Sequence, residues 1–464
     1  MKTNITLFLL LVTQVICADE YVIPNAFVAG TPARAADVNG NFNAAKTAID
    51  DNNDRIANLE AMVLSLQSAV SMMQGELSNA QDTINGLNAR LTAVEGNTVL
   101  ELDGHLYKGT VNGYQTAVFE ALNVQVNNGT GSTSGVVNGL GNLMVGYNES
   151  SVLAPNFCSD PQYSNQSNCE SAGQFWSSNI RRGSHNLVVG VGNSFDDFGA
   201  IVSGFLNVSN GAYASVTGGK GNMAMANYAS VTGGENNLAM GQFSNVTGGK
   251  ENATTFSYAS ISGGYQNIAS GGFSSILGGS TNHSIGDYSS VVGGKSNRAE
   301  GIRSVIMAGE QNTAKGELSS ISGGRLNDAW GKLSHVVAGL DNFAQNLYAT
   351  SVGGYQNSAK ADYATALGGS TNQALGLRSV AVGGSGNDAS GIGSVVLSGR
   401  WNDAIGDDSI VVSGDANDAL GTRSVVVGGV QNEAIGQESV VSGGYLRDAT
   451  GSRDWVAGSL SQDQ

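Results

Sequence analysis

Short apolar runs rich in β-branched residues recur with a fixed period of 15 residues from about Ala214 to Gly451. Ser-Val-Val in the segment 290–301 is typical, and glycine brackets each run. A glycine stands at position 219 and at every fifteenth residue up to 444, and an asparagine follows each one three residues later. Only the last interval differs, with Arg447 in place of asparagine. The asparagines include Asn222, Asn237, Asn267, Asn297, Asn327, Asn357, Asn387 and Asn432.

This period predicts a mainly β fold in which each interval is one coil of a parallel β-roll or solenoid. Each coil would hold a short strand, a turn, a second short strand and another turn. A helix is disfavoured because two or three glycines in every 15 residues would each cost roughly 1 kcal/mol in a helix interior. Strands of successive coils would stack at about 4.8 Å. The asparagines would then form a buried hydrogen-bonded ladder, and the glycines would serve tight corners with positive φ.

A different pattern, a heptad repeat, covers residues 38–94 and predicts an N-terminal coiled-coil stalk over residues 38–96. One set of core positions is Phe42, Ile49, Ile56, Val63, Val70, Leu77, Ile84 and Leu91. The other set is Val38, Ala45, Asn52, Leu59, Leu66, Met73, Ala80, Leu87 and Val94. The heptads alone leave two or three strands open, because β-branched residues followed by leucine favour two strands while the core is mixed. Asn52 is interpreted as a polar residue that fixes the register, with an ion site in the core as the alternative.

The remaining segments are assigned from their composition. Residues 1–18 predict a cleaved signal peptide and therefore a secreted protein; lipidation at Cys17 is the alternative. Residues 19–37 predict an extended arm, 97–135 a neck with strands near Val99 and Ala117, and 136–451 the β-roll. Residues 452–464 would cap the last coil, with Arg447 and Trp455 contributing. No other stretch reaches 18 apolar residues, so no transmembrane helix is predicted.

Residues 149–183 interrupt the roll as an insertion. The two cysteines that remain after the signal peptide, Cys158 and Cys169, predict a disulfide that closes a small loop. The insertion also concentrates exposed-type aromatic and basic residues, a composition that favours interfaces. Two interpretations stay open: a collar against a neighbouring protomer, or a ligand-binding loop. The candidate binding residues are Tyr163, Phe175, Trp176, Arg181 and Arg182.

The repeat resembles the head repeats of the trimeric autotransporter adhesins, the YadA-like family. Ser379-Val-Ala-Val-Gly-Gly-Ser-Gly-Asn-Asp-Ala-Ser-Gly391 is similar to their unit S-V-A-I-G-x-x-x-x-A-x-G with one residue added. The resemblance covers roughly 60 % of the chain. It implies a left-handed parallel β-roll, association of three chains, and adhesion to an extracellular surface or polymer. Here the stalk precedes the head, the reverse of the family's order, so the family's export and anchoring are not carried over.

One face of the predicted roll changes character along the chain. The two residues that flank the central valine or isoleucine of the first strand are polar in early coils, as at Ser215 and Thr217. They are aliphatic in late coils, as at Val380 and Val382 or Val425 and Val427. The preferred interpretation is that this face contacts the other protomers. The alternative is an exposed, adhesive apolar band.

Composition narrows the function further. Glycine makes up 66 of 464 residues, charged residues only 13 %, and the net charge is −16. The negative charge argues against nucleic-acid binding. We find no catalytic constellation, cofactor motif or metal motif, so we expect neither enzyme activity nor a cofactor. The prediction is a secreted, homotrimeric, fibrous adhesin or surface structural protein. The alternative is a non-catalytic solenoid that binds ice, mineral or polysaccharide.

Overall fold

The computed structural model describes residues 21–96, 102–153, 156–160, 163, 165–458 and 460–462. It divides into two compact units, Met1–Val124 and Gln125–Gln464. The predicted signal peptide, residues 1–18, lies outside the described residues, as do the first two residues of the arm and positions 459, 463 and 464 of the cap.

The first unit contains the helix α1, Ala35–Glu95, over the segment where the heptads predict a stalk. It begins after Arg34, whose backbone is extended, and hydrogen bonds from Tyr21 and Asn25 tie the preceding arm to it. The Asn25 backbone amide donates to Asn41 Oδ1 at 2.8 Å, and Asn41 Nδ2 donates to the Asn25 carbonyl at 2.7 Å. Among the described residues, α1 is also the one helix whose length and composition would permit it to cross a membrane.

A β-hairpin follows in the same unit, where strands of the neck are predicted. Its strands β1, Leu106–Val111, and β2, Tyr114–Phe119, pair antiparallel. Asn112 and Gly113 form the two-residue turn, both with positive φ, which is the preferred chemistry of a tight hairpin. The predicted strand near Ala117 is therefore present, whereas the one near Val99 lies outside the described residues.

The second unit is a parallel β-solenoid of about 18 coils of about 15 residues. Each regular coil gives one strand to each of two parallel sheets, and paired residues of successive coils are 15 positions apart. The solenoid and its 15-residue repeat are thus confirmed. Left-handed winding, the coiled coil and the trimer stay predictions.

The strands are numbered in chain order. The first sheet contains β3 (Leu143–Val145), β6 (Leu187–Val191), β8 (Ile201–Phe205) and the even-numbered strands from β10 to β42: Ser215–Val216, Ser230–Val231, Asn245–Val246, Ser260–Ile261, Ser275–Ile276, Ser290–Val291, Val305–Ile306, Ser320–Ile321, His335–Val336, Thr350–Val352, Thr365–Leu367, Val380–Val382, Val395–Val396, Ile410–Val411, Val425–Val426, Val440–Val441 and Trp455–Ala457. The second sheet contains the odd-numbered strands from β7 to β41: Ser194–Phe195, Val208–Ser209, Met223–Ala224, Leu238–Ala239, Ala253–Thr254, Ile268–Ala269, His283–Ser284, Arg298–Ala299, Thr313–Ala314, Asp328–Ala329, Phe343–Ala344, Ser358–Ala359, Gln373–Ala374, Asp388–Ala389, Asp403–Ala404, Asp418–Ala419, Glu433–Ala434 and Asp448–Ala449.

The core of each coil is narrow because small residues face larger ones across it. Val291 of the first sheet and Ala299 of the second both point inward and are fully buried. Most coils have two corners where a residue other than glycine takes the left-handed backbone conformation, as at Ser296 (φ 55°) and Arg303 (φ 57°). Position 294 requires a glycine, because its φ is 92° and a Cβ there would collide with the Gly309 carbonyl of the next coil.

The C-terminal end of the solenoid is closed by an antiparallel strand. β42 adds to the first sheet beside Val440–Val441, and β43, Leu460–Gln462, folds back against it. Trp455, predicted as a cap residue, donates from its indole Nε1 to Ser442 Oγ at 2.8 Å. Arg447 stands where the next asparagine of the ladder would be. Its backbone amide donates to Asn432 Oδ1 at 3.0 Å.

Candidate functional surfaces

The heptad core positions of α1 are uncovered by their own chain. No residue of the helix is buried, and Ile49, Ile56, Leu59, Leu66 and Leu87 are 48–58 % exposed. Asn52 is exposed on the same helix. Leaving an apolar side chain of this size in water forgoes roughly 1.5–3 kcal/mol of burial. The helix therefore presents a long apolar stripe that its own chain leaves exposed.

The asparagines form a continuous ladder along one corner of the solenoid. Asn297 shows the pattern: its Nδ2 donates to the Gly293 carbonyl of its own coil and to the Gly309 carbonyl of the next. Its Oδ1 accepts the backbone amide of Asn312 at 3.0 Å. The ladder asparagines from Asn222 to Asn432 are almost fully buried. Each side-chain amide forms hydrogen bonds with three buried backbone groups that would otherwise need water. The ladder is therefore a structural element of the fold and not a ligand site.

The ladder begins earlier than the repeat in the sequence indicates. Asn148 Oδ1 accepts the amide of Asn193, Asn193 Oδ1 accepts that of Asn207, and Asn207 Oδ1 accepts that of Asn222. The insertion separates Asn148 from Asn193, and Asn193 is 14 residues from Asn207, so a search for a period of 15 misses Asn148 and Asn193, whereas Asn207 stands 15 residues before Asn222.

The insertion packs on the outer face of the second sheet of its own chain. It contains β4, Phe157–Cys158, the short helix α2, Gln166–Ser171, and β5, Trp176–Ser177, with β4 and β5 antiparallel. The Cys158 and Cys169 sulfur atoms lie 1.97 Å apart, within bonding distance. A small apolar cluster joins the insertion to the roll: Phe157, Ile180, Val208 and Met225, with Met223, Leu238 and Met240 at its edge.

The five candidate binding residues occupy different environments within the insertion. Phe175 is 56 % exposed, and the Arg182 guanidinium stacks on its ring at 4.3 Å. Arg182 also makes a bidentate ion pair with Asp196 of the roll, both contacts 2.7 Å. Tyr163, Trp176 and Arg181 are half-buried, and Arg181 pairs with Phe195 across a parallel bridge. The structure thus brings Phe175 and Arg182 together and does not gather all five.

The outer face of the first sheet carries the predicted change from hydroxyl to aliphatic side chains. The residues that flank the buried centre of each strand point outward, as the alternation of strand faces requires. Val380 and Val382 lie half-buried on either side of the fully buried Ala381, and Val427 is 43 % exposed. In one isolated chain these aliphatic side chains therefore face solvent.

Two further columns are present that the sequence analysis did not single out. The first is a stack of six partly exposed aromatic rings at one left-handed corner, with centroids of successive rings 4.5–5.2 Å apart: Tyr213, Tyr228, Phe243, Tyr258, Phe273 and Tyr288. Each ring covers the face of its neighbour, so only the ring edges are left for solvent. Such a stack stabilises the corner but offers no open face to a ligand.

The second is an acidic column on the outer face of the second sheet, formed in register by Asp388, Asp403, Asp418, Glu433 and Asp448. None of these carboxylates forms an ion pair with any residue the structure describes. Burial, together with the neighbouring Asp403 carboxylate, raises the pKa of Asp388 and of Asp418 to about 6. Both columns were readable from the sequence, because their members stand 15 residues apart.

A metal-binding cluster of three or more histidine, cysteine, aspartate or glutamate side chains is absent from the described part of the chain. The acidic column does not form one, since its carboxylates lie in a line. No protein-family model matches the chain, and no curated protein is similar to it.

Proposed function

We propose that the protein is a secreted, non-enzymatic fibre that assembles from three copies and attaches to an extracellular surface or polymer. The observation that carries this proposal is α1: it is 61 residues long, keeps a heptad pattern for nearly its whole length, and buries none of its core positions against its own chain. A helix of this kind is stable in water when sister helices cover its apolar stripe.

The solenoid supports the same assembly. The aliphatic residues on the outer face of the first sheet, such as Val380, Val382 and Val427, form a band in the late coils. In a single chain this band is in contact with solvent. Exposed apolar bands of this kind favour contact between proteins. The choice of three copies comes from the resemblance to YadA-like head repeats, since the heptads alone are compatible with two.

An adhesive role follows from the repetition. A stalk that joins several long, regular solenoids presents the same surface more than once, so weak contacts gain strength through effective concentration. The solenoid columns described above consist of asparagines, aliphatic side chains, stacked rings and carboxylates. On the outer face of the first sheet the Ser320 hydroxyl lies 2.6 Å from Nδ1 of His335, but no described residue hydrogen-bonds the other ring nitrogen of His335 to orient it as a base. This composition favours binding over catalysis.

The test compares the whole chain with a variant in which the stalk cannot assemble, Leu59→Asp with Leu66→Asp. Both labelled proteins are applied to cell surfaces, matrix proteins, polysaccharides and mineral particles. We expect the wild type to bind at least one surface with an apparent affinity at least about tenfold above that of the variant. Equal binding, or no binding to any surface, would contradict the adhesive role. The matched control is Gln67→Asp, which adds a charge to the helix outside the core positions.

A further inference from the structure

A polar cleft of about 570 Å³ lies between the insertion and the roll. The insertion contributes Ser159, Asp160, Gln174 and Arg182, and the roll contributes Asp196, Asp197, Asn210 and Gln242, among others. A volume of this size admits a small group or a side chain and not a folded domain. All of the residues that line it belong to one chain.

The charges that line this cleft are unbalanced. Three carboxylates, those of Asp160, Asp196 and Asp197, face one cation, Arg182. Arg182 is already bound in a bidentate pair to Asp196 and stacked on Phe175, so its charge is committed. The cleft therefore keeps a net negative charge and would repel an anionic ligand.

Asp197 is a carboxylate of this cleft that has no counter-charge in the described part of the chain. Its side chain is half-buried, its Oδ1 accepts the Phe198 backbone amide at 3.0 Å, and it forms no ion pair in the described part of the chain. Burial and then the adjacent Asp196 carboxylate raise the pKa of Asp197. A carboxylate held partly out of water without a counter-charge is unfavourable, and a bound cation would remove that penalty.

The neighbouring amide groups supply acceptors for N–H donors. Asn210 is 5 % exposed, and its Nδ2 donates to the carbonyls of Cys158 and Ser159 at 3.2 and 2.8 Å. These two bonds fix the orientation of the amide, because only the nitrogen can donate. Its Oδ1 is buried and has no donor among the described residues.

We propose that this cleft binds an alkylammonium or guanidinium group, as carried by a lysine or arginine side chain of a partner polypeptide or by a free amine. The Asp197 carboxylate supplies the counter-charge, and the surrounding amide oxygens accept the remaining N–H groups. A neutral saccharide would leave the Asp197 carboxylate uncompensated. A divalent ion lacks a set of three ligating side chains here.

The experiment uses ligand-observed NMR on the whole chain. The probes are Nα-acetyl-lysine methylamide, its uncharged Nε-acetylated form, a tetralysine peptide and calcium. We expect the charged probe to bind saturably and the acetylated form not to bind, with Asp197→Asn weakening the affinity at least about tenfold. Glu170→Gln is the matched control: it removes the same charge from the insertion outside the cleft and should leave the affinity unchanged.

A second variant keeps the proposal testable if Asp197→Asn fails to fold, as judged by its thermal midpoint. Gln242→Lys leaves every carboxylate in place and puts an ammonium group at the cleft wall, so it should weaken binding by a similar factor. Saturation by the free amine and by the peptide identifies a site for any amine, and saturation by the peptide alone identifies a polypeptide partner. The proposal is overturned if calcium binds and the charged amine does not, if no charged probe binds, or if Glu170→Gln weakens binding as much as the cleft variants do.

Discussion

The backbone amide of Asn312 donates a 3.0 Å hydrogen bond to Oδ1 of Asn297, one coil earlier. The same contact recurs along the solenoid up to Arg447, whose amide donates to Asn432. Each amide side chain thus joins one coil to the next through buried backbone groups. Backbone hydrogen bonds also join successive coils at both sheets and at the corners, and each ladder asparagine adds two further bonds to its junction with the next coil.

Removing one asparagine of the ladder should lower the free energy of unfolding. Asn327→Ala loses the bonds of Asn327 to the Gly323 and Gly339 carbonyls and to the Asn342 amide, and it leaves these groups buried. We expect a loss of about 3 kcal/mol or more, at about 1 kcal/mol or more for each unsatisfied group. Chemical denaturation, with hydrogen exchange of neighbouring amides, measures it.

The matched control for that variant is Asn245→Ser. Asn245 lies on the outer face of the first sheet, where the neighbouring coils have Ser230 and Ser260. The change should cost less than about 0.5 kcal/mol. Similar losses for Asn327→Ala and Asn245→Ser would show that the ladder has no special role.

Replacing a serine of a second buried column should stabilise the protein, whereas replacing a ladder asparagine destabilises it. Ser409 is fully buried and its hydroxyl has no hydrogen-bond partner among the described residues. Ala349 occupies the equivalent position of another coil and is equally buried. Ser409→Ala should therefore stabilise the protein by up to about 1 kcal/mol, and Ala349→Ser should destabilise it by a similar amount. The idea fails if thermal unfolding shows Ser409→Ala to be clearly less stable than the wild type.

The stacked rings should stabilise the early coils. Phe243 lies between Tyr228 and Tyr258, with ring centroids 4.7 and 5.0 Å away. Phe243→Leu removes both stacking contacts, each worth about 0.5–1.5 kcal/mol, and we expect a loss of about 1–3 kcal/mol. Leucine is tolerated at this corner, since Leu318 and Leu333 stand there with the same backbone conformation. A loss below about 0.5 kcal/mol in denaturant unfolding would indicate that the stack adds nothing.

The acidic column should make the late coils more stable in weak acid. The pKa of Asp388 and of Asp418 is about 6 in the folded protein, above the ordinary value of 3.8. Between these values the native state binds more protons than the unfolded state, so stability rises as the pH falls from about 7 towards 4. We expect a higher thermal midpoint at pH 5 than at pH 7.5.

Asp418→Asn should reduce that difference, because it removes one of the two carboxylates whose pKa is raised to about 6. Asp341→Asn, which changes an exposed carboxylate outside the column, should preserve it. A wild-type midpoint that falls between pH 7.5 and pH 5, or an identical response of both variants, would contradict the role assigned to the column.

The sequence was sufficient for features that repeat and insufficient for those that occur once. The spacing of glycine and asparagine predicts the coil because every interval repeats the same local conformation, and α1, Ala35–Glu95, covers the segment that carries the heptads. The aromatic and acidic columns follow the same spacing and could have been found. The insertion has no period, so neither its packing on Met225 nor the cleft beside Asp197 was predictable. Those contacts join residues distant in sequence, and only the folded chain brings them together.

The most direct test of the account is the mass of the native protein in solution. Sedimentation equilibrium of the whole mature chain, at several concentrations, should give three chain masses, and Leu59→Asp with Leu66→Asp should shift it towards one. The resulting monomer should keep the β spectrum of its solenoid. A folded wild-type protein with the mass of a single chain at every concentration would contradict the proposal that the exposed residues of α1 are covered by sister copies.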